Sequence, residues 1–170
     1  MRLVSCLLVG LSLLIFQGLL FHLRLPSWLM PQGLLVCVVF LGFYECSIAG
    51  AVCAFLLGLM LDMSSGIVLG PWAGAYTALY LALTFLSQRL FVESIMVAMS
   101  TAALSNVFAG GLFLVLAFEN QVLSFDDVLT LLGQGIASAF VVPLVFAVLG
   151  RAWRRVGTLP ARRGGVVSAV

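Results

Sequence analysis

Few residues in this sequence could do chemistry, and they stand far apart. Asp62 closes a very apolar stretch and is followed by Ser64, Ser65 and Gly66. An acid at that place could serve as a proton, ion or substrate site near a membrane. It could equally cap the next turn, or accept hydrogen bonds from the backbone of Ser64, Ser65 and Gly66. The turn residues that follow at once favour this structural or contact role. Asn106 lies deep in another apolar stretch, on the row Ala98, Ala102, Asn106, Gly110, beside a second small row of Thr101, Ser105 and Ala109. An amide so placed reads first as an interhelical hydrogen bond in a close-packed seam, and only second as a ligand contact. Gln134, beside Gly133 and Gly135, reads the same way, and Gln17 is expected to face a neighbouring helix. Glu45 and Glu93 fall at helix ends, where solvation is the default. Arg89 and Glu93, four residues apart, would gain only about 0.3 kcal/mol by pairing.

Most enzyme classes lack their parts. His22 is the only histidine and lies at the edge of an apolar run, so intramembrane serine proteolysis has no base inside the bundle. HExxH is missing, and GIVLGPWAG does not fit GxGxxG. Lipid phosphotransfer needs several acids or a metal cluster in one place, and Asp62 stands alone. The four cysteines, Cys6, Cys37, Cys46 and Cys53, form no CxxC and no Cys/His cluster, so they read as small hydrophobes packed between helices. No catalytic residue, no cofactor site and no metal site is expected.

Composition names the elements that must position these residues. Of 170 residues, 64% are hydrophobic and 8% charged, and lysine is absent. A water-soluble domain of this size could not hide so much apolar surface. Alternating β-barrel segments are not evident either. The expected class is all-α: a polytopic membrane protein forming one bundle of six transmembrane helices over residues 1–150, with a short basic tail, 151–170, that is disordered.

The spans fall at about Leu3–Phe21, Gln32–Tyr44, Ser47–Met63, Trp72–Leu86, Ser94–Phe118 and Val128–Leu149. Arg2 ahead of the first resembles a secretory signal, but no small-x-small cleavage pattern follows before His22, Arg24 and Pro26, so an uncleaved helix is expected. Pro26, Trp28 and Pro31 mark the first loop. The second span has only 13 residues and needs tilt or local thinning to cross a core of about 30 Å. Pro143 should kink the sixth. With both termini in the cytoplasm, Arg2, Arg89, Arg151, Arg154, Arg155, Arg162 and Arg163 lie inside and Arg24 alone lies outside. The positive-inside rule therefore expects N-in, C-in, with the turn after Asp62 and the acidic loop Glu119, Asp126, Asp127 outside. The arginine tail suits a cytoplasmic leaflet or an acidic partner better than nucleic acid.

The stretch from Gly50 to Ala82 organises the chain. Small residues recur every four positions before Asp62 (Gly50, Ala54, Gly58) and after it (Gly66, Gly70, Gly74, Ala78, Ala82). In a helix that spacing makes a stripe where another backbone can approach closely. Within it, GLMLDMSSGIVLG, Gly58 to Gly70, resembles the signature region of the rod shape-determining protein MreD family. There an apolar helix ends in Gly-Leu, then Asp, a small or polar turn with Gly, and a further Gly opening the next helix. The matching positions are Gly58, Leu59, Asp62, Ser65, Gly66 and Gly70. Pro71, Trp72 and the arginine tail have no counterpart in that pattern.

The resemblance implies a non-enzymatic scaffold in the bacterial inner membrane, within the cell-elongation machinery that builds peptidoglycan. Its main partner would be MreC, and through it MreB, RodA and a penicillin-binding transpeptidase; membrane lipid surrounds it and two copies could pair. Almost no soluble mass is present, so partners must be engaged through helix faces, short loops and the tail. An alternative is the substrate-binding S component of an energy-coupling factor vitamin transporter. That reading needs convergent polar groups, and the spans offer Gln17, Asp62, Asn106 and Gln134.

Overall fold

The computed structural model describes residues 2–22, 30–65, 69–87, 95–116 and 125–155. They form six α-helices: α1 (Arg2–His22), α2 (Gly33–Tyr44), α3 (Ile48–Ser65), α4 (Pro71–Ser87), α5 (Ile95–Leu116) and α6 (Phe125–Arg155). Among the described residues there is no strand, and the chain is an all-α bundle. Arg24, Trp28, Gly66, Arg89, Glu93, Glu119, Arg162 and Arg163 lie outside the described residues, as does the chain from 156 onward.

The bundle is built around its shortest helix. α2, GLLVCVVFLGFY, is apolar around its whole circumference, the pattern of a helix surrounded on all sides. Every residue from Gly33 to Phe43 is buried, and α2 packs against each of the other five helices. Its valines are indifferent helix formers, so packing rather than propensity holds it helical. At about 18 Å it is shorter than a membrane core of about 30 Å. Surrounded by the other five helices, α2 is shielded along Gly33–Phe43 from whatever surrounds the bundle.

Helices α3, α5 and α6 each hold a stretch long and apolar enough to cross a membrane: Ile48–Ser65, Met96–Phe113 and Leu129–Arg154. Val4–Leu19 in α1 is apolar but shorter. Large apolar side chains point outward from the bundle, among them Leu8, Ile15, Met96, Leu104, Phe140 and Leu144. So many outward hydrophobes suit hydrocarbon surroundings.

α6 extends beyond the expected sixth span at both ends and continues through Pro143. Residue 150 is therefore no boundary: Trp153 is fully buried and meets Phe40 of α2 edge-on at 5.1 Å. Phe146 meets the same ring at 5.1 Å. The first residues of the expected tail thus belong to the core.

In lipid, apolar burial gives helices little reason to associate, so close packing and interhelical hydrogen bonds must hold them. Glycines supply the close approaches. A Cβ on Gly58 would lie 2.6 Å from Ala73 Cα and 2.6 Å from the Trp72 carbonyl oxygen, so α3 and α4 touch backbone to backbone. A Cβ on Gly42 would lie 2.7 Å from Leu83 Cβ, joining α2 to α4. Gly110 faces Leu131 across the α5–α6 seam, and Gly10 of α1 faces Leu57 and Leu34.

Candidate functional site

Asp62 is fixed by the packing just described. Gly58 stands one helical turn before it, on the same face of α3. The approach that Gly58 permits brings the Asp62 carboxylate onto the start of α4. Oδ2 accepts hydrogen bonds from the backbone N–H groups of Gly70 at 3.0 Å and Ala73 at 3.0 Å. Oδ1 accepts one from Trp72 N–H at 3.1 Å. Pro71, at the first helical position, has no N–H to satisfy. One side chain thus meets the unpaired donors of another helix's first turn, and its negative charge faces the positive end of that helix dipole. Asp62 is 1% exposed.

The described donors are Gly70, Trp72 and Ala73 and not the expected Ser64 and Ser65, while Gly66 lies outside the described residues. Gly70 adopts φ +120°, which favours glycine and folds the chain back so that its N–H meets the carboxylate. The hydroxyls of Ser64 and Ser65 instead donate to carbonyls of their own helix, at Met60 and Asp62, both at 2.9 Å. The Gly-Pro pair at 70–71 is a sequence signal for a helix start that could have found this cap.

A second lock closes the other end of the hairpin. The Tyr80 hydroxyl donates toward the carbonyls of Glu45 and Ser47, the latter at 2.9 Å, and accepts the Ser47 N–H at 3.1 Å. Gly50 makes room for that ring. Gly50 and Ala54 are buried on α3 as the small-residue stripe expects. The stripe's continuation does not form the seam: Gly74 and Ala78 are half-buried and Ala82 exposed. α4 turns Ala73, Tyr76, Tyr80 and Leu83 inward instead, because Asp62 and Gly58 set its rotation at Ala73. Leu59 is half-buried and, with Val4, Leu8, Leu11 and Leu56, lines an outward apolar groove between α1 and α3.

The remaining polar residues gather at the head of α2. Gln32 N–H donates to Ser138 Oγ at 2.9 Å. Gln32 Nε2 donates to Gln134 Oε1 at 3.1 Å. Asn106 Nδ2 approaches Ser138 Oγ at 3.5 Å. Asn106 and Ser138 are buried. Asn106 and Gln134, expected separately, are brought together; Gln17 and Asp62 are not part of this cluster. Gln32 and Ser138 were missed. Ser138 stands four residues after Gln134 on one helix face, which was the available signal.

Cys6, Cys37 and Cys53 are buried free thiols from three successive helices, with the Cys6 thiol in reach of the other two. Among the described residues no group of acids, histidines or cysteines could hold a metal ion.

No family model matches the chain, and neither the curated proteins nor the solved structures contain a significant match to it.

Proposed function

We propose that this chain is a non-enzymatic, multi-pass scaffold of the bacterial inner membrane that serves the cell-elongation machinery and binds MreC, linking it to MreB, RodA and a penicillin-binding transpeptidase. What supports the reading is the role of Asp62 in the segment that resembles the MreD family. Its carboxylate is engaged by three backbone donors, which supports a structural role that joins α3 to α4. Two helices locked together at this point offer a rigid face, which is what a protein with little mass outside the bilayer needs in order to be recognised. In this reading both termini are cytoplasmic, the turn after Asp62 faces the periplasm, and the arginines from Arg151 onward meet anionic lipid or a cytoplasmic filament.

The test is a pull-down from detergent-solubilised membranes with wild type, Asp62→Ala and Asp62→Asn. Recovery of MreC with wild type, weakened in proportion to the loss of the cap, supports the scaffold. Equal recovery with all three keeps the scaffold and removes the hairpin from the contact. Recovery of a transporter ATPase in place of MreC supports the second reading, a transporter S component. The convergence of Gln32, Asn106, Gln134 and Ser138 favours that reading, since it supplies the clustered polar groups it needs.

A further inference from the structure

The head of α2 is a place where hydrogen bonding is left open. The hydrogen bonds described for the cluster leave the carbonyl oxygens of Gln32 and Asn106 buried with no partner among the described residues, a state shared elsewhere in the bundle by the single hydroxyls of Tyr76 and Thr84. Asn106 is 1% exposed and Ser138 is fully buried. Gly135 lets α6 approach α5 closely beside Asn106: a Cβ there would lie 3.1 Å from the Ala103 carbonyl oxygen. Turning the Asn106 amide over would give its carbonyl to the Ser138 hydroxyl and strand its NH2 instead, so one end stays unpaired in either orientation. A buried carbonyl without a donor is destabilising, and hydrocarbon surroundings offer no solvent to relieve it. A seam made only to join α5 and α6 would do better with a small apolar residue at 106.

Depth and charge describe the partner that is called for. Gln134 is nine residues into α6, so the cluster lies about 13 Å inside that helix's start. The ionisable acids and bases whose side chains are described are elsewhere. Asp62 is engaged by α4, Glu45 accepts from Ser47 beyond the far end of α2, and Arg151 and Arg154 are near the end of α6. A charged guest at the cluster would have no counter-charge among these groups. An uncharged guest with N–H or O–H groups would satisfy both stranded oxygens.

We propose that the head of α2 is a binding site for a small uncharged organic molecule that donates hydrogen bonds to Gln32 Oε1 and Asn106 Oδ1. Gln134 and Ser138 hold those two amides in position. Amides, ureido compounds and nucleobases have the required paired donors. The site is the cluster that favours the second reading and deepens it, and it is independent of the scaffold reading, since partner recovery does not depend on a guest.

The experiment uses the full chain purified from membranes in mild detergent, with native mass spectrometry for retained adducts. Thermal unfolding with added nicotinamide, uracil and nicotinate provides the second readout. Expected are an uncharged adduct on wild type, or a saturable rise in melting temperature with nicotinamide or uracil and none with nicotinate. Asn106→Leu should weaken that binding about tenfold or more while the protein remains folded. Ser138→Ala retains both stranded oxygens and covers the case in which Asn106→Leu fails to fold; it should weaken binding severalfold. Absence of any adduct together with no saturable shift for either neutral probe overturns the proposal. So does equal response to nicotinate, or a high-resolution structure with only a water between the two oxygens.

Discussion

α3 with α4, and α5 with α6, are both antiparallel pairs brought close by glycine, and both carry polar residues at the contact. In the first pair two polar side chains close the ends of the seam, although the Tyr76 and Thr84 hydroxyls of α4 are themselves buried without a partner among the described residues. Asp62 fills the start of α4, and Tyr80 ties the other end of the same seam to the turn before α3. In the second pair Asn106 and Ser138 meet at 3.5 Å, and an amide oxygen is left stranded. The difference is chemical. A carboxylate facing a helix start meets several N–H groups already aimed in one direction, so one side chain satisfies them together. A side-chain amide between two helix flanks meets backbone that is already paired, and depends on whatever few side chains lie opposite. The first arrangement gives rigidity; the second leaves binding capacity open.

The comparison breaks most decisively at Gly58. Gly58→Val drives a side chain into the α4 backbone, which cannot yield as a flexible side chain would. We expect a loss of about 4 kcal/mol or failure to accumulate folded protein, read by expression and thermal unfolding in detergent. Asp62→Ala leaves buried donors unpaired and should cost about 3 kcal/mol; Asp62→Asn keeps one acceptor oxygen and should cost about half as much, measured in the same way. If the two substitutions destabilise equally, charge rather than hydrogen bonding carries the cap. Tyr80→Phe removes the second lock and should cost about 1–2 kcal/mol, with proteolysis rising first at the α2–α3 turn. Asn106→Leu should sharpen the contrast by behaving oppositely, leaving the melting temperature unchanged or raising it by the equivalent of about 1 kcal/mol in guest-free protein, since it removes an unpaired group. The smallest effect is expected at Gly111, where an added Cβ meets open space; Gly111→Ala should gain about 0.5–1 kcal/mol from helix propensity alone.

Much of the fold is legible along the chain. Helix positions follow from apolar runs broken by Pro26, Pro31, Glu45 and the Ser64–Pro71 turn, since in a chain this apolar almost any polar or proline-rich break ends a helix. The small residues before Asp62 mark the face that meets α4, because only small residues let two backbones touch. The same stripe misleads after Asp62. Gly74 and Ala78 keep the four-residue spacing, yet α4's rotation is set from outside by Asp62 and Gly58, and no local pattern in α4 records that. Trp153 reads as part of a basic tail, and only the ring of Phe40, far back in the chain, makes it core.

Composition, helix number and the special standing of Asp62 were thus determined by the sequence itself. They rest on local physics: hydropathy, the missing N–H of proline, and an acid beside a turn. Tertiary structure alone decided which helix is central, which donors Asp62 accepts, and that Gln32, Asn106, Gln134 and Ser138 share one place. Those outcomes depend on groups that the chain separates by eight to more than one hundred positions. Burial and pairing belong to the space between helices, and a single helix's pattern records that space only from its own side.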